Sequence, residues 1–231
     1  MPVQDAQALI RETSAMNIDD CVKTAGFSDE VEESIRGHIH QELVSWMVFR
    51  KLSMDASRAN VCLLGFAQLF ERCAFECLMD AHWLEKYLVQ RGGRSKPTPI
   101  EVPPCNICDD PVEPIKPVRE ALCTEKRLLE DLQRLMGLAE RTGNYALAAT
   151  LDRRFLCKTT RHVKDWGDLV QQTVRVSKDP GHGIYHLDRE LREKQGVIPW
   201  THINDPDETD VCMHCVGKGE AAMEHAQRAH H

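Results

Sequence analysis

The sequence predicts an all-α fold: four long helices in a bundle with one long crossover, then a short fifth helix and an extended C-terminal tail. Three observations lead there. Apolar residues recur at helical spacing through four stretches of roughly 23 to 32 residues, longer than ordinary globular helices. Seven of the eleven prolines (97, 99, 103, 104, 111, 114 and 117) crowd into the segment that begins at Gly92-Gly93, so that segment is a long irregular connection. The links between the stretches run short, long, short, so the first and second helices pair as a hairpin, as do the third and fourth.

Residues 1–27 precede the bundle as an N-terminal extension that carries Cys21. Ser28 is a good N-cap for the first helix, and Asp29, Glu30, Glu32 and Glu33 place negative charge at the positive end of its dipole. Val31, Ile35, Ile39, Leu43, Trp46 and Met47 form its apolar stripe, which fades near Asp55. The second helix is expected from about Val61 to Arg91, where Gly92 stops it. The third covers about Val118 to Glu140, and Thr142-Gly143-Asn144 is a turn. The fourth runs from about Tyr145 to Val176 and closes the bundle of residues 28–176. A helix of about 28 residues is about 42 Å long, and an extended chain needs roughly 13 residues to travel back along it. The 92–117 segment exceeds that, so the third helix can lie parallel to the second. Residues 177–231 hold seven of the eleven histidines, with a short helix expected over Ile184 to Gln195 and a polar, irregular tail beyond.

Composition removes several classes of function. The 42% hydrophobic and 28% charged residues are an ordinary globular mixture. No run approaches the ~20 apolar residues of a membrane span, and Met1-Pro2-Val3-Gln4-Asp5 has no cationic start leading into an apolar segment. A cytoplasmic protein that avoids membranes is therefore expected. The net charge of −7 argues against a chain whose main business is neutralising nucleic-acid phosphates. Of ten cysteines, those at 62, 73, 77, 123 and 157 fall in helical patterns and read as small buried hydrophobes. Lys158-Thr159-Thr160-Arg161 is the densest cationic stretch and reads as a solvated helix face.

Glu42-Leu43, Gln90-Arg91-Gly92-Gly93-Arg94, Glu125-Lys126 and Gly167-Asp168 occur in an order and at a spacing that resemble ferritin subunits, over about residues 28–195. The resemblance implies a homo-oligomeric hollow shell of twenty-four copies, with the fifth helix at the four-fold axes. It also implies a two-iron oxidase centre between the helices, because iron favours carboxylate and imidazole donors. Carried across residue by residue, Glu42 and Glu125 match that centre. Glu-x-x-His of the second helix has become Cys77-Leu78-Met79-Asp80, the expected tyrosine is Phe49 and the expected glutamine is Thr159. No Glu in the chain is followed three residues later by His, so the motif has not shifted elsewhere. Glu42 and Glu125 can hold a cation or form a buried polar pair bridged by water, Lys or Arg. Glu76 is kept where ferritins present cavity carboxylates, but its neighbours are Met79 and His82; at the three-fold channel Asp152 is kept and Ala149 replaces an acid.

Two C-x-x-C pairs, Cys105/Cys108 and Cys212/Cys215, offer four thiolates for a tetrahedral zinc ion, with His214 as a further donor; if they do not converge, each pair stands alone as a local disulfide, a site completed by His, or free thiols. Cys21 is a candidate for an intersubunit disulfide. Three functions follow. The first is a cage that no longer handles iron and instead protects unfolding client proteins without ATP, as resemblance to a cysteine-rich branch of the ferritins implies. That resemblance extends to RNA protection, which the acidic balance does not support. The second is residual iron binding at Glu42, Asp80 and Glu125. The third is an inert zinc- and cysteine-rich shell.

Overall fold

The computed structural model describes residues 3–24, 26–101, 106–109, 112–178 and 181–198. Two helices precede the bundle, α1 (Val3–Ala15) and α2 (Ile18–Val22), where the sequence suggested only an extension. The first long helix, α3 (Asp29–Ala56), begins as expected: the Ser28 hydroxyl accepts a hydrogen bond from the Val31 amide at 3.3 Å. Its partner α4 (Leu64–Gln90) starts three residues later than the apolar spacing suggested. Val61 and Cys62 belong to the connection instead, and Cys62 turns it with φ of +50°.

Helix α4 ends in a Schellman motif. Gly92 sits at φ +78°, the Gly93 amide donates to the Leu88 carbonyl at 2.9 Å, and the Gly92 amide donates to Val89 at 3.0 Å. A side chain on Gly92 would meet the backbone of Asp19 at 2.4 Å, so the same glycine lets α2 approach. The crossover that follows contains a two-residue antiparallel pair, β1 (Cys108–Asp109) with β2 (Val112–Glu113), which helical periodicity could not signal.

Helix α5 (Ile115–Arg141) starts three residues before the expected Val118. Pro117 is its third residue, within the first turn, where a missing N–H loses no bond. The fourth long helix is continuous from Tyr145 to Val176 but not uniform. It comprises α6 (Tyr145–Thr150), a π-helical turn (Leu151–Leu156) and α7 (Cys157–Val176). The short helix α8 (His182–Glu193) lies two residues ahead of its expected position.

Helix α3 packs along α4, α5 along α7, and α3 along α5, which closes the bundle. Toward one end the core is aliphatic, with Ile35, Leu84, Leu88, Leu132, Leu135 and Leu147 fully buried. Each such side chain contributes about 1.5–3 kcal/mol of burial. Toward the other end Trp166 stacks between Phe49 and Phe70, at centroid distances of 6.0 and 5.9 Å. Between the two lies a layer of buried charge.

Helix α8 packs on α4 and α7. Its Asp188 carboxylate accepts from the Gly65 amide at 2.8 Å and the Phe66 amide at 3.1 Å, capping α4 from a distant part of the chain.

Candidate functional site at the charged centre of the bundle

The four long helices bring Glu42, Cys77, Asp80, Glu125 and Thr159 into the interior, all buried. Each sits on the inward face because it keeps helical phase with core residues, as Glu42 does with Ile35 and Ile39 on α3. The charges then find partners inside the chain. Lys158, on α7, makes an ion pair with Asp80, while Arg154 stands 3.9 Å from the other oxygen of that carboxylate. Burial works against the Lys158 ammonium, but Asp80, Glu76 and Glu42 outweigh it and push its pKa up. Lys158 therefore stays charged among carboxylates.

The other two carboxylates are met by histidines. His162 Nδ1 lies 3.7 Å from Glu125 and its Nε2 lies 3.6 Å from Glu76. Burial opposes the imidazolium, yet the two carboxylates raise its pKa. His38 is fully buried, with Nδ1 hydrogen-bonded to Asp131 at 2.7 Å and Nε2 in contact with Glu42 at 3.4 Å. Despite desolvation, Asp131 and Glu42 raise its pKa to about 9. Burial raises the pKa of Glu42 in turn, partly offset by His38.

The remaining positions of the expected iron centre offer weak donors. Burial pushes the Cys77 thiol well above the usual range, as it does that of Cys73 one turn before it, so both remain protonated. The Thr159 hydroxyl donates to the Phe155 carbonyl at 2.9 Å. Phe49 brings a ring, not an oxygen, and spends its face on Trp166. Among the described residues no group of three or more His, Cys, Asp or Glu side chains could hold a metal ion. Within this donor set the cation paired with Asp80 is the chain's own Lys158 ammonium.

Other sequence-predicted residues are dispersed. Glu76 is partly buried, Met79 and His82 are exposed, and His82 contacts Glu85 at 3.8 Å. Ala149 and Asp152 are both exposed. Cys21 is an exposed free thiol in α2. Of the helical cysteines only Cys77 is buried and Cys73 partly so; Cys62, Cys123 and Cys157 are exposed, against the expectation that all five are core residues. Cys108 lies in β1, while Cys105, Cys212, His214 and Cys215 lie outside the described residues.

Lys158, His162, His38 and Asp131 were not anticipated at the centre. A signal existed for two of them. His38 is one turn before Glu42, and His162 follows Thr159 by three, so both share a face with a candidate ligand.

Residues 32–176 match the family described as a ferritin-like domain. The chain is 31% identical over 166 residues to a chloroplastic ferritin of Phaseolus vulgaris, covering 71% of this chain and 65% of that protein. It is 30% identical to the chloroplastic ferritin-3 of Arabidopsis thaliana, covering 71% and 63%. A ferritin heavy chain of Echinococcus granulosus is 27% identical, covering 71% and 92%. The chain thus spans slightly under two thirds of the plant relatives it matches. With four long helices and a long crossover in place and the family match running over residues 32–176, the chain belongs to the ferritin family.

Proposed function

We propose that this chain assembles, as a homo-oligomer of twenty-four copies, into a cytoplasmic ferritin-type cage that has lost iron oxidation and storage. We further propose that the cage serves as an ATP-independent, stress-protective holdase for unfolding proteins. The observation that carries the first part is Lys158. Its ammonium pairs with Asp80 inside the carboxylate cluster, and the charge a divalent cation would neutralise is already met. Iron would have to displace a tethered ion and then bind with a protonated thiol and two engaged imidazoles.

The holdase reading draws on resemblance to artemin, a cysteine-rich ferritin homologue. It is supported by Leu9, Ile10, Met16, Ile18 and Val22, large apolar side chains left exposed on the N-terminal helices and their junction. Exposed apolar surface of this kind is what a chain with unfolded clients needs.

The experiment is elemental analysis of the assembled particle after aerobic incubation with ferrous iron and desalting. Negligible iron is expected. Iron retained far beyond a few ions per subunit would overturn the reading. Zinc near one ion per subunit that persists in a His182→Ala, His186→Ala variant and is lost on replacing the C-x-x-C cysteines would give those pairs a structural role. Suppression of heat aggregation of an unrelated enzyme at substoichiometric protein tests the holdase, and its absence leaves an inert shell.

A further inference from the structure

We infer that His182 and His186 form a surface chelate for a divalent transition-metal ion of the copper, nickel or zinc type. The two stand at i and i+4 in α8, and both side chains are exposed on the single subunit. Their ring centroids are 5.9 Å apart with the planes inclined by 48°. Two imidazoles sharing a tetrahedral ion at 2.0–2.1 Å per Zn–N bond have centroids roughly 5 Å apart. Closing the chelate therefore takes about 1 Å of side-chain movement and no change in the helix. Neutral imidazole selects copper, nickel and zinc over magnesium or calcium, which prefer oxygen donors.

The helix that carries the pair is held in place. Ile184, Leu187 and Leu191 are buried on its other face, and Asp188 is hydrogen-bonded to the first amides of α4. Tyr185 sets its ring edge-on to His186 at 5.9 Å, which narrows the rotation open to that imidazole. Two chelating nitrogens leave the remaining coordination positions to water or an outside donor, so the ion is exchangeable. His182 is the first residue of α8, where the helix dipole works against a bound cation. Affinity thus comes from chelation, the second imidazole binding as an intramolecular step. This site is remote in sequence from the carboxylate cluster and owes nothing to Lys158 or to the holdase reading.

The test is calorimetric titration of the full-length protein with Cu(II) at neutral pH in the presence of glycine as a weak competitor. Tail histidines shared by every variant set a constant background. Above it, one site per subunit is expected, and His182→Ala or His186→Ala should each weaken it on the order of 100-fold. The double variant should lose no more than either single one. Losses that add as two independent weak ligands, or single variants that bind as the parent does, would overturn the chelate. Both residues are exposed on the single subunit, so the helical circular dichroism should be the same in all four proteins, and light scattering should give all four the same particle size.

Discussion

Lys158 carries the balance of charge at the centre of this bundle, and its contribution is a difference between large opposing terms. Taking an ammonium and a carboxylate out of water is expensive, and their attraction offsets this only while both are present. Lys158→Met leaves Asp80 buried with only Arg154, 3.9 Å from one of its oxygens, and it should destabilise the protein by about 3 kcal/mol in urea unfolding. Adding Asp80→Leu should restore most of that loss; a double variant whose losses simply add would refute the pairing. His38 makes a second case, with its sign set by the direction of its shift. Its folded pKa is raised to about 9 from an ordinary 6.5. Its contribution is full below about pH 6.5 and is lost as pH rises through about 9. The gap in unfolding free energy between the native protein and His38→Gln should therefore shrink by on the order of 3 kcal/mol from pH 6 to pH 10. A pH-independent gap would mean that Asp131 and Glu42 do not hold the imidazolium. The sequence revealed the carboxylates but not their partners. Glu42 and Glu125 stand in apolar stripes, where a charge is conspicuous, whereas Lys158 stands in a cationic stretch that reads as solvated. Only the packing of α7 against α4 tells the two apart.

At the scale of elements, the bundle was legible because its signals are local. Apolar period, the Ser28 cap and the Gly92 stop each act within a turn or two of the helix end they define. What escaped depends on distant chain. The π-helical turn at Leu151–Leu156 adds a residue to one turn without altering composition. The start of α4 was misplaced because its cap is Asp188, more than a hundred residues away, and not a neighbouring Ser or Asp. Removing that carboxylate tests the link. Asp188→Ala should cost about 1 kcal/mol and speed hydrogen exchange at the Gly65 and Phe66 amides, leaving α5 unaffected. Gly65→Ala should be worse, because its Cβ would lie 1.9 Å from the Asp188 carbonyl and 2.8 Å from the Arg192 amide, both rigid backbone. The expected consequence is displacement of α8 from α4, seen as fast exchange throughout His182–Glu193. Protected α8 amides in that variant would show that α4, and not the helix contact, absorbs the strain.

The whole molecule sets a question that the bundle alone does not answer, since a carboxylate-lined four-helix core fits iron handling, storage or a bare scaffold equally well. Function has to be sought on the surface, and the N-terminal helices are where exposed apolar side chains concentrate: Leu9 is 59% exposed, Ile10 64% and Ile18 54%. Elsewhere among the described residues the exposed apolar side chains, Val89 and Tyr145 among them, are separated along the chain. Burying one Leu or Ile against a client contributes about 1.5–3 kcal/mol, so two adjacent ones suffice for transient capture. Replacing both, Leu9→Glu with Ile10→Glu, should reduce the suppression of heat aggregation several-fold at equal protein. Light scattering should report an unchanged particle size. The matched control is Val89→Glu with Tyr145→Glu, which adds the same charge at isolated positions. Undiminished suppression by the first pair would place the client surface outside the extension. Loss of the particle instead would make α1 an element of assembly, and the holdase reading would then need a different surface.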